Sequence, residues 1–196
     1  MKIANHKINM KNIAIFASGN GTNAERIIKY FKDNNTAQVS IVLTNNSNAG
    51  VIKKAKALGV AVHIFNRSGF YNNDEVLDIL ARNNVELIVL AGFLWLIPEQ
   101  LIHKYPNKII NIHPALLPKY GGKGMYGTRV HEAVIANGDS KSGITIHWVN
   151  KNYDEGQVIF QAEFAIVDNE TPQSLAKKIH TLEYKHFPKV IEDIIS

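Results

Sequence analysis

Asn111 and His113 alternate with Ile110 and Ile112 in the stretch IINIHPALLPKYGGKG (109–124), so on a pleated strand both polar side chains leave from one face. An amide and an imidazole together at the end of an apolar run, with Pro114 closing the strand and a glycine-rich loop behind it, can do more than pack. The Asn amide can donate to an oxyanion developing on a carbonyl-like carbon, and each such preorganised donor contributes about 2.7–4 kcal/mol. The His can donate likewise when protonated, and a nearby carboxylate would raise its pKa and favour that form. KNYDEG (151–156) supplies a carboxylate, Asp154, in a turn between two strand-like runs; it could take a proton from an incoming amine, directly or through water. Taken singly, Asp154 reads as a turn residue with an Asx-type hydrogen bond and His113 as a structural histidine. Their company points to chemistry. No nucleophile motif such as G-x-S-x-G occurs, which favours direct transfer between two bound substrates over a covalent enzyme intermediate.

A second constellation is SGNGTNAERII (18–28). Gly19 and Gly21 permit positive φ, and the helix that follows presents unpaired N–H groups at Thr22, Asn23 and Ala24, which makes an anion site out of backbone. The stretch also fits G-x-G-x-x-A, but the acidic residue a dinucleotide ribose needs at the end of the second strand is replaced by Thr44-Asn45-Asn46. No Gly-Lys-Ser/Thr follows either, so a monophosphate fits better. His147, Trp148 and Tyr153 read as strand residues, and since no histidines pair at metal-ligand spacing, no metal is expected.

The elements that must position these groups alternate strictly. NIAIFAS (12–18), QVSIVLT (38–44), VAVHIF (60–65), VELIVLAG (85–92) and KIINIH (108–113) read as strands, separated by helical stretches at 23–32, 48–59, 72–84 and 98–105. Gly59 stops the second helix. A loop from Pro114 to Gly127, a helix at 129–137 and two further strands, 143–150 and 157–167, come next. The last helix starts with Thr171 as N-cap and Pro172 at its first position, and Pro188 should kink or split it. The pattern predicts an α/β chain: one domain over 1–196, a three-layer Rossmann-like sheet, mostly parallel with a mixed C-terminal part and helices on both faces. In such a sheet ligands bind at the carboxyl ends of the strands, where Asn111 and His113 fall.

Composition adds bounds. At 196 residues, 45% hydrophobic, the chain can bury one sizeable core. The absence of Cys rules out disulfides and thiolate zinc sites, the first segment has no apolar run suited to a secretory signal, and nothing approaches a membrane span. A cytoplasmic protein is expected. The net charge of +5 is dispersed, compatible with an anionic small substrate or a nucleic acid.

SGNGTN (18–23), LAGFLWLIP (90–98), INIHPALLPKYGG (110–122) and DEGQVI (154–159) resemble the phosphoribosylglycinamide formyltransferase family, folate-dependent enzymes of purine synthesis, over nearly the whole chain from about Asn12. The resemblance implies 10-formyltetrahydrofolate as co-substrate, no metal, and small-molecule partners only, in a monomer or homodimer without nucleic acid or membrane. It implies that a glycinamide amine attacks the formyl carbon, that Asn111 and His113 stabilise the oxyanion, and that Asp154 orients His113 and handles the amine proton through water. Gly21, Thr22 and Asn23 would hold the substrate phosphate and Glu183 its ribose. The folate would lie along Phe93, Leu94, Trp95, Leu96 and Ile97, on Val149 and on the loop before Asp154. Many relatives carry Arg where this chain has Trp95, some have Arg near Asn73, and the loop KYGGKGMYGTRVHEA is longer than the compact form. Formyltetrahydrofolate deformylase and methionyl-tRNA formyltransferase share the core constellation. The first carries an extra N-terminal domain, where only about ten residues precede the first strand here; the second appends a C-terminal one. A non-catalytic nucleotide-binding protein would need none of Asn111, His113 and Asp154.

Overall fold

A computed structural model describes residues 10–196; the first half of the segment read for a secretory signal lies outside the described residues. The apolar runs become β1 (Lys11–Phe16), β2 (Ala37–Thr44), β3 (Ala61–Ile64), β4 (Leu87–Leu90), β5 (Ile109–His113), β6 (Lys141–Trp148) and β7 (Val158–Ala165). They form one seven-stranded sheet of order β3-β2-β1-β4-β5-β6-β7. The first five strands pair in parallel, β6 runs antiparallel to β5, and β7 antiparallel to β6, so the sheet is mixed at its C-terminal end as expected. Chain order reverses between β1 and β4, which opens a crevice at the carboxyl ends of the central strands.

Successive residues of β1 serve opposite faces. Ile13 and Ile15 join one core with α1 (Thr22–Asn34), α2 (Gly50–Ala57) and α7 (Pro172–Ile195). Ala14 and Phe16 join another with α3 (Arg67–Tyr71), α4 (Glu75–Arg82) and α5 (Glu99–Lys104). In α1 the buried set is Ala24, Ile27, Ile28 and Phe31, a one-face stripe at helical spacing, and Asn35 ends the helix in the left-handed region, φ 55°, with its N–H on the Phe31 carbonyl. The remaining helix, α6 (Thr128–Ala136), packs on α7.

One element was missed, and of the two outcomes expected at Pro188 the split does not occur. The short helix α3 was not foreseen: its five residues carry too little periodicity to read, and its start is fixed by the Asn66 side chain accepting from the Gly69 N–H at 3.0 Å. Pro188 does not split the last helix, which runs unbroken over 24 residues with a Thr171–Ser174 capping box at its start. A proline frees the carbonyl four residues earlier, here Tyr184, and that oxygen accepts from the Arg26 Nε of α1 at 3.4 Å. The Pro188 ring itself is buried.

Candidate active site

Asn111 and His113 lie at the carboxyl end of β5, and the antiparallel register sets Asn111 opposite His147 and His113 opposite Thr145. The Thr145 hydroxyl donates to the Ala115 carbonyl at 2.7 Å and accepts from the Leu117 N–H at 3.0 Å, which fixes the chain leaving His113. Asp154, in the turn from β6 to β7, has the left-handed φ of 57°, which an Asp tolerates better than most residues. Gly156 makes that turn feasible, because a Cβ there would sit 1.6 Å from the Trp148 carbonyl oxygen.

The carboxylate of Asp154 is thereby set between two buried imidazoles. Its Oδ2 stands 3.5 Å from His113 Nδ1 and accepts the Gly122 N–H at 2.9 Å; its Oδ1 stands 3.6 Å from His147 Nε2 and accepts from Asn111 Nδ2 at 3.3 Å. Asn111 Nδ2 also donates to His147 Nε2 at 3.1 Å, and His147 Nδ1 donates to the Trp148 carbonyl at 2.8 Å. Burial pushes the Asp154 carboxyl up, but the neighbouring His147 and His113 imidazoles and the Gly122 N–H outweigh it and hold it below its ordinary value. His113 goes the other way from expectation. With 3% of its surface exposed, burial lowers its pKa, and the Asp154 carboxylate and Tyr120 carbonyl oppose that without reversing it. An imidazole sealed this deeply loses more hydration on charging than one carboxylate 3.5 Å away restores.

At the end of β1, Gly21 takes φ 75° and stands as N-cap of α1 with no side-chain cap, which leaves the first-turn N–H groups of Thr22 and Asn23 open. Nothing larger than Gly fits, since a Cβ would meet Val51 at 2.5 Å. This turn, Asn111, His113, Asp154 and Glu183 line one cleft of about 630 Å³, the size of a small-molecule site. Glu183, 4% exposed, accepts from Asn23 Nδ2 at 2.9 Å and pairs with His180 Nδ1 at 2.8 Å, which raises the pKa of His180.

The residues expected to hold folate divide. Phe93 and Leu94 line the large cleft, whereas Trp95, Leu96, Ile97 and Val149 line a narrow adjoining groove of about 50 Å³; Phe93, Asn111, Tyr153 and Asp154 belong to both. Ile97 is otherwise a core residue, packed with Phe16 and Phe65. Arg67, from the unforeseen α3, lies 5.1 Å from the Trp95 ring.

Sequence reasoning missed three contributors: His147, the Gly122 N–H and the Tyr120 carbonyl, which accepts from His113 Nε2 at 2.8 Å. The alternation of Thr145 and His147 with Ile144 and Ile146 was the available signal, since it mirrors that of Asn111 and His113. Of the loop residues without an assigned role, Lys119 pairs with Asp139 outside the cleft, while His131 lines it, with an Nδ1 that has no hydrogen-bond partner among the described residues. No group of three or more metal-ligating side chains is assembled among the described residues, and none of their helices is long and apolar enough to cross a membrane.

A mostly parallel sheet with an open helix N-terminus after its first strand and an Asn/His/Asp cluster beside the carboxyl end of β5 makes this an α/β fold with a candidate site at its strand ends. Residues 11–191 match the sequence model of the Formyl transferase family, and the chain belongs to that family. Its relatives carry a more particular name. It is 37% identical over 194 residues to the chloroplastic phosphoribosylglycinamide formyltransferase of Arabidopsis thaliana, covering 96% of this chain and 66% of that protein. Against the phosphoribosylglycinamide formyltransferase of Bacillus subtilis the identity is 35% over 191 residues, 95% of each chain. The chain thus spans about two thirds of the plant relative and nearly all of the bacterial one. The glycinamide ribonucleotide transformylase 1 of Geobacillus kaustophilus superposes with a TM-score of 0.86 at 32% identity, over 95% of this chain and 100% of that one.

Proposed function

We propose that this chain transfers a formyl group from 10-formyltetrahydrofolate to the amine of phosphoribosylglycinamide, a step of purine synthesis. The observation that carries the reading is the junction of two clefts at Asn111 and Asp154: one ends in an open helix N-terminus and a carboxylate, the other is walled by Trp95, Leu96, Ile97 and Val149. The acceptor phosphate meets the N–H groups of Gly21, Thr22 and Asn23, and Glu183 takes the ribose hydroxyls. That points the glycinamide amine at Asn111. Folate lies on Phe93, Leu94, Trp95, Leu96, Ile97 and Val149; the groove is too narrow for a ring system as it stands, so the ring enters by parting the 150–154 turn from Leu96.

The amine attacks the formyl carbon, the carbonyl oxygen becomes an oxyanion between Asn111 and His113, and the tetrahedral centre collapses by breaking the bond to the folate nitrogen. The proton lost by the amine passes through Asp154 and water to that nitrogen, so protons balance. Asn111 gives an amide hydrogen to the oxyanion by exchanging its bond to Asp154, at 3.3 Å the longer of its two. His113 donates from Nδ1, since Nε2–H is held by the Tyr120 carbonyl, when it takes up a proton from solvent; Asp154 favours that form and burial opposes it. His147 holds Asn111 and Asp154 in register. The chain acts as one catalytic domain in the cytoplasm on small-molecule substrates, as a monomer or homodimer, a reading supported by its single sheet and its lack of cysteine.

The test is formyl loss from 10-formyltetrahydrofolate, followed spectrophotometrically with glycinamide ribonucleotide, with initiator methionyl-tRNA and with water alone. Turnover is expected only with the first. Turnover with water alone would make the chain a deformylase, and silence in all three would leave a binding role.

A further inference from the structure

The loop behind His113 contains an anchor whose side chain lies outside the cleft, with Tyr120 and Asp139 lining a separate hollow. Tyr120 stands at φ 59°, a conformation that a non-glycine residue rarely takes, and its two ends do different things. Its carbonyl oxygen accepts the His113 Nε2–H at 2.8 Å; its hydroxyl donates to Asp139 Oδ2 at 2.9 Å. Asp139, between α6 and β6, is itself held by Asn137 Nδ2 at 2.7 Å and by Lys119 Nζ at 3.4 Å. A carbonyl can only accept, so this contact requires hydrogen on Nε2 and leaves Nδ1 as the ring nitrogen presented to Asp154. The imidazole plane is fixed by the same bond.

We propose that Tyr120 and Asp139 are positioning residues: the hydroxyl–carboxylate contact, outside the reaction cleft, holds the Tyr120 carbonyl where it sets which nitrogen of His113 faces the reaction. The inference rests on the formyl-transfer reading for its kinetic consequence and on geometry alone for its effect on the ring. The Tyr120 hydroxyl needs only an acceptor at 139, and the Asn amide oxygen is one; the exposed Lys119 ion pair is what Asn gives up.

The experiment compares Tyr120→Phe, Asp139→Ala and Asp139→Asn by steady-state kinetics and by NMR of the buried imidazole N–H protons. His147 is the internal control, since its Nδ1–H donates to the Trp148 carbonyl at 2.8 Å independently of this loop. The expected result is a kcat about tenfold lower in Tyr120→Phe and Asp139→Ala with both KM values unchanged. In the same two variants the His113 N–H signal broadens or exchanges while that of His147 persists, and Asp139→Asn restores both kcat and signal. An unchanged kcat beside wild-type turnover overturns the proposal, as does an unaltered His113 signal, an Asp139→Asn variant as impaired as Asp139→Ala, or joint loss of both histidine signals, which would mean general loosening. Absence of formyl transfer in the wild-type protein would sink the functional reading instead, and the NMR comparison would still decide the anchor.

Discussion

Asp154 touches Asn111 and the Gly122 N–H and stands within 3.6 Å of both buried histidines, so a change of one atom there reads out the site. Asn tolerates the left-handed backbone as Asp does, which makes Asp154→Asn a substitution of chemistry rather than of fold. It should lower turnover by roughly 10²–10⁴ while dissociation constants for both substrates move little. Isothermal titration beside the formyl-loss assay checks this, and near-normal turnover would take Asp154 out of the proton path. At the far end of the cleft the His180–Glu183 pair makes a pH-dependent contribution. The folded pKa of His180 is raised by the hydrogen bond to Glu183, so the contribution is complete below the ordinary histidine value and is lost as pH rises through the folded one. His180 is half exposed and the effect is small. The melting-temperature gap between wild type and His180→Asn should be wider at about pH 5.5 than at about pH 8.5, and an equal gap would refute the linkage. At this scale Asn111 and His113 stand out because each is a polar residue where an apolar pattern did not need it, and Asp154, in a polar turn, stands out only by their company. His147 carries the same alternation, but its pairing with Asn111 depends on the register of β6 on β5, which no local pattern encodes.

Two turns set the geometry at the scale of elements. The turn from β6 to β7 can reach the site only because Gly156 passes against the Trp148 carbonyl. Gly156→Ala should displace the turn, drop turnover at least as far as Asp154→Asn, and lower the melting temperature as well; retained turnover would show that the turn relaxes without moving Asp154. The strand and helix alternation was legible almost throughout, from apolar runs and from stripes such as Ala24, Ile27, Ile28 and Phe31. Where it failed, at α3 and at Pro188, the deciding contacts were the Asn66 cap and the Arg26 bond to Tyr184, each one side-chain hydrogen bond. Helix propensity sees only the proline and not the partner that a neighbouring helix brings to its orphaned carbonyl.

For the molecule as a whole, the sheet separates two cores, and the groove proposed for folate rests on an aromatic one. Phe16 packs within 5.4 Å of Phe93, 5.9 Å of Phe65 and 6.3 Å of Phe70, ring centre to ring centre. Phe16→Ala should destabilise the fold by about 3–5 kcal/mol in urea titration and weaken folate binding more than ribonucleotide binding, because Phe93 loses its support. Equal weakening of both would separate the core from the groove. The parallel part of this plan was foreseeable from the alternation of elements, which is also why the candidate residues were sought at strand ends. That the two clefts meet was not, because it depends on how the β6–β7 turn folds back over β5. Their meeting at Phe93, Asn111, Tyr153 and Asp154 means that a single molecule carrying a phosphate-bearing arm and a pterin-like arm could span both once the 150–154 turn parts from Leu96. Once one arm is seated, the other is held at a high effective concentration, a gain of about 10²–10⁴ without any new contact, provided the tether is as short as the shared wall demands.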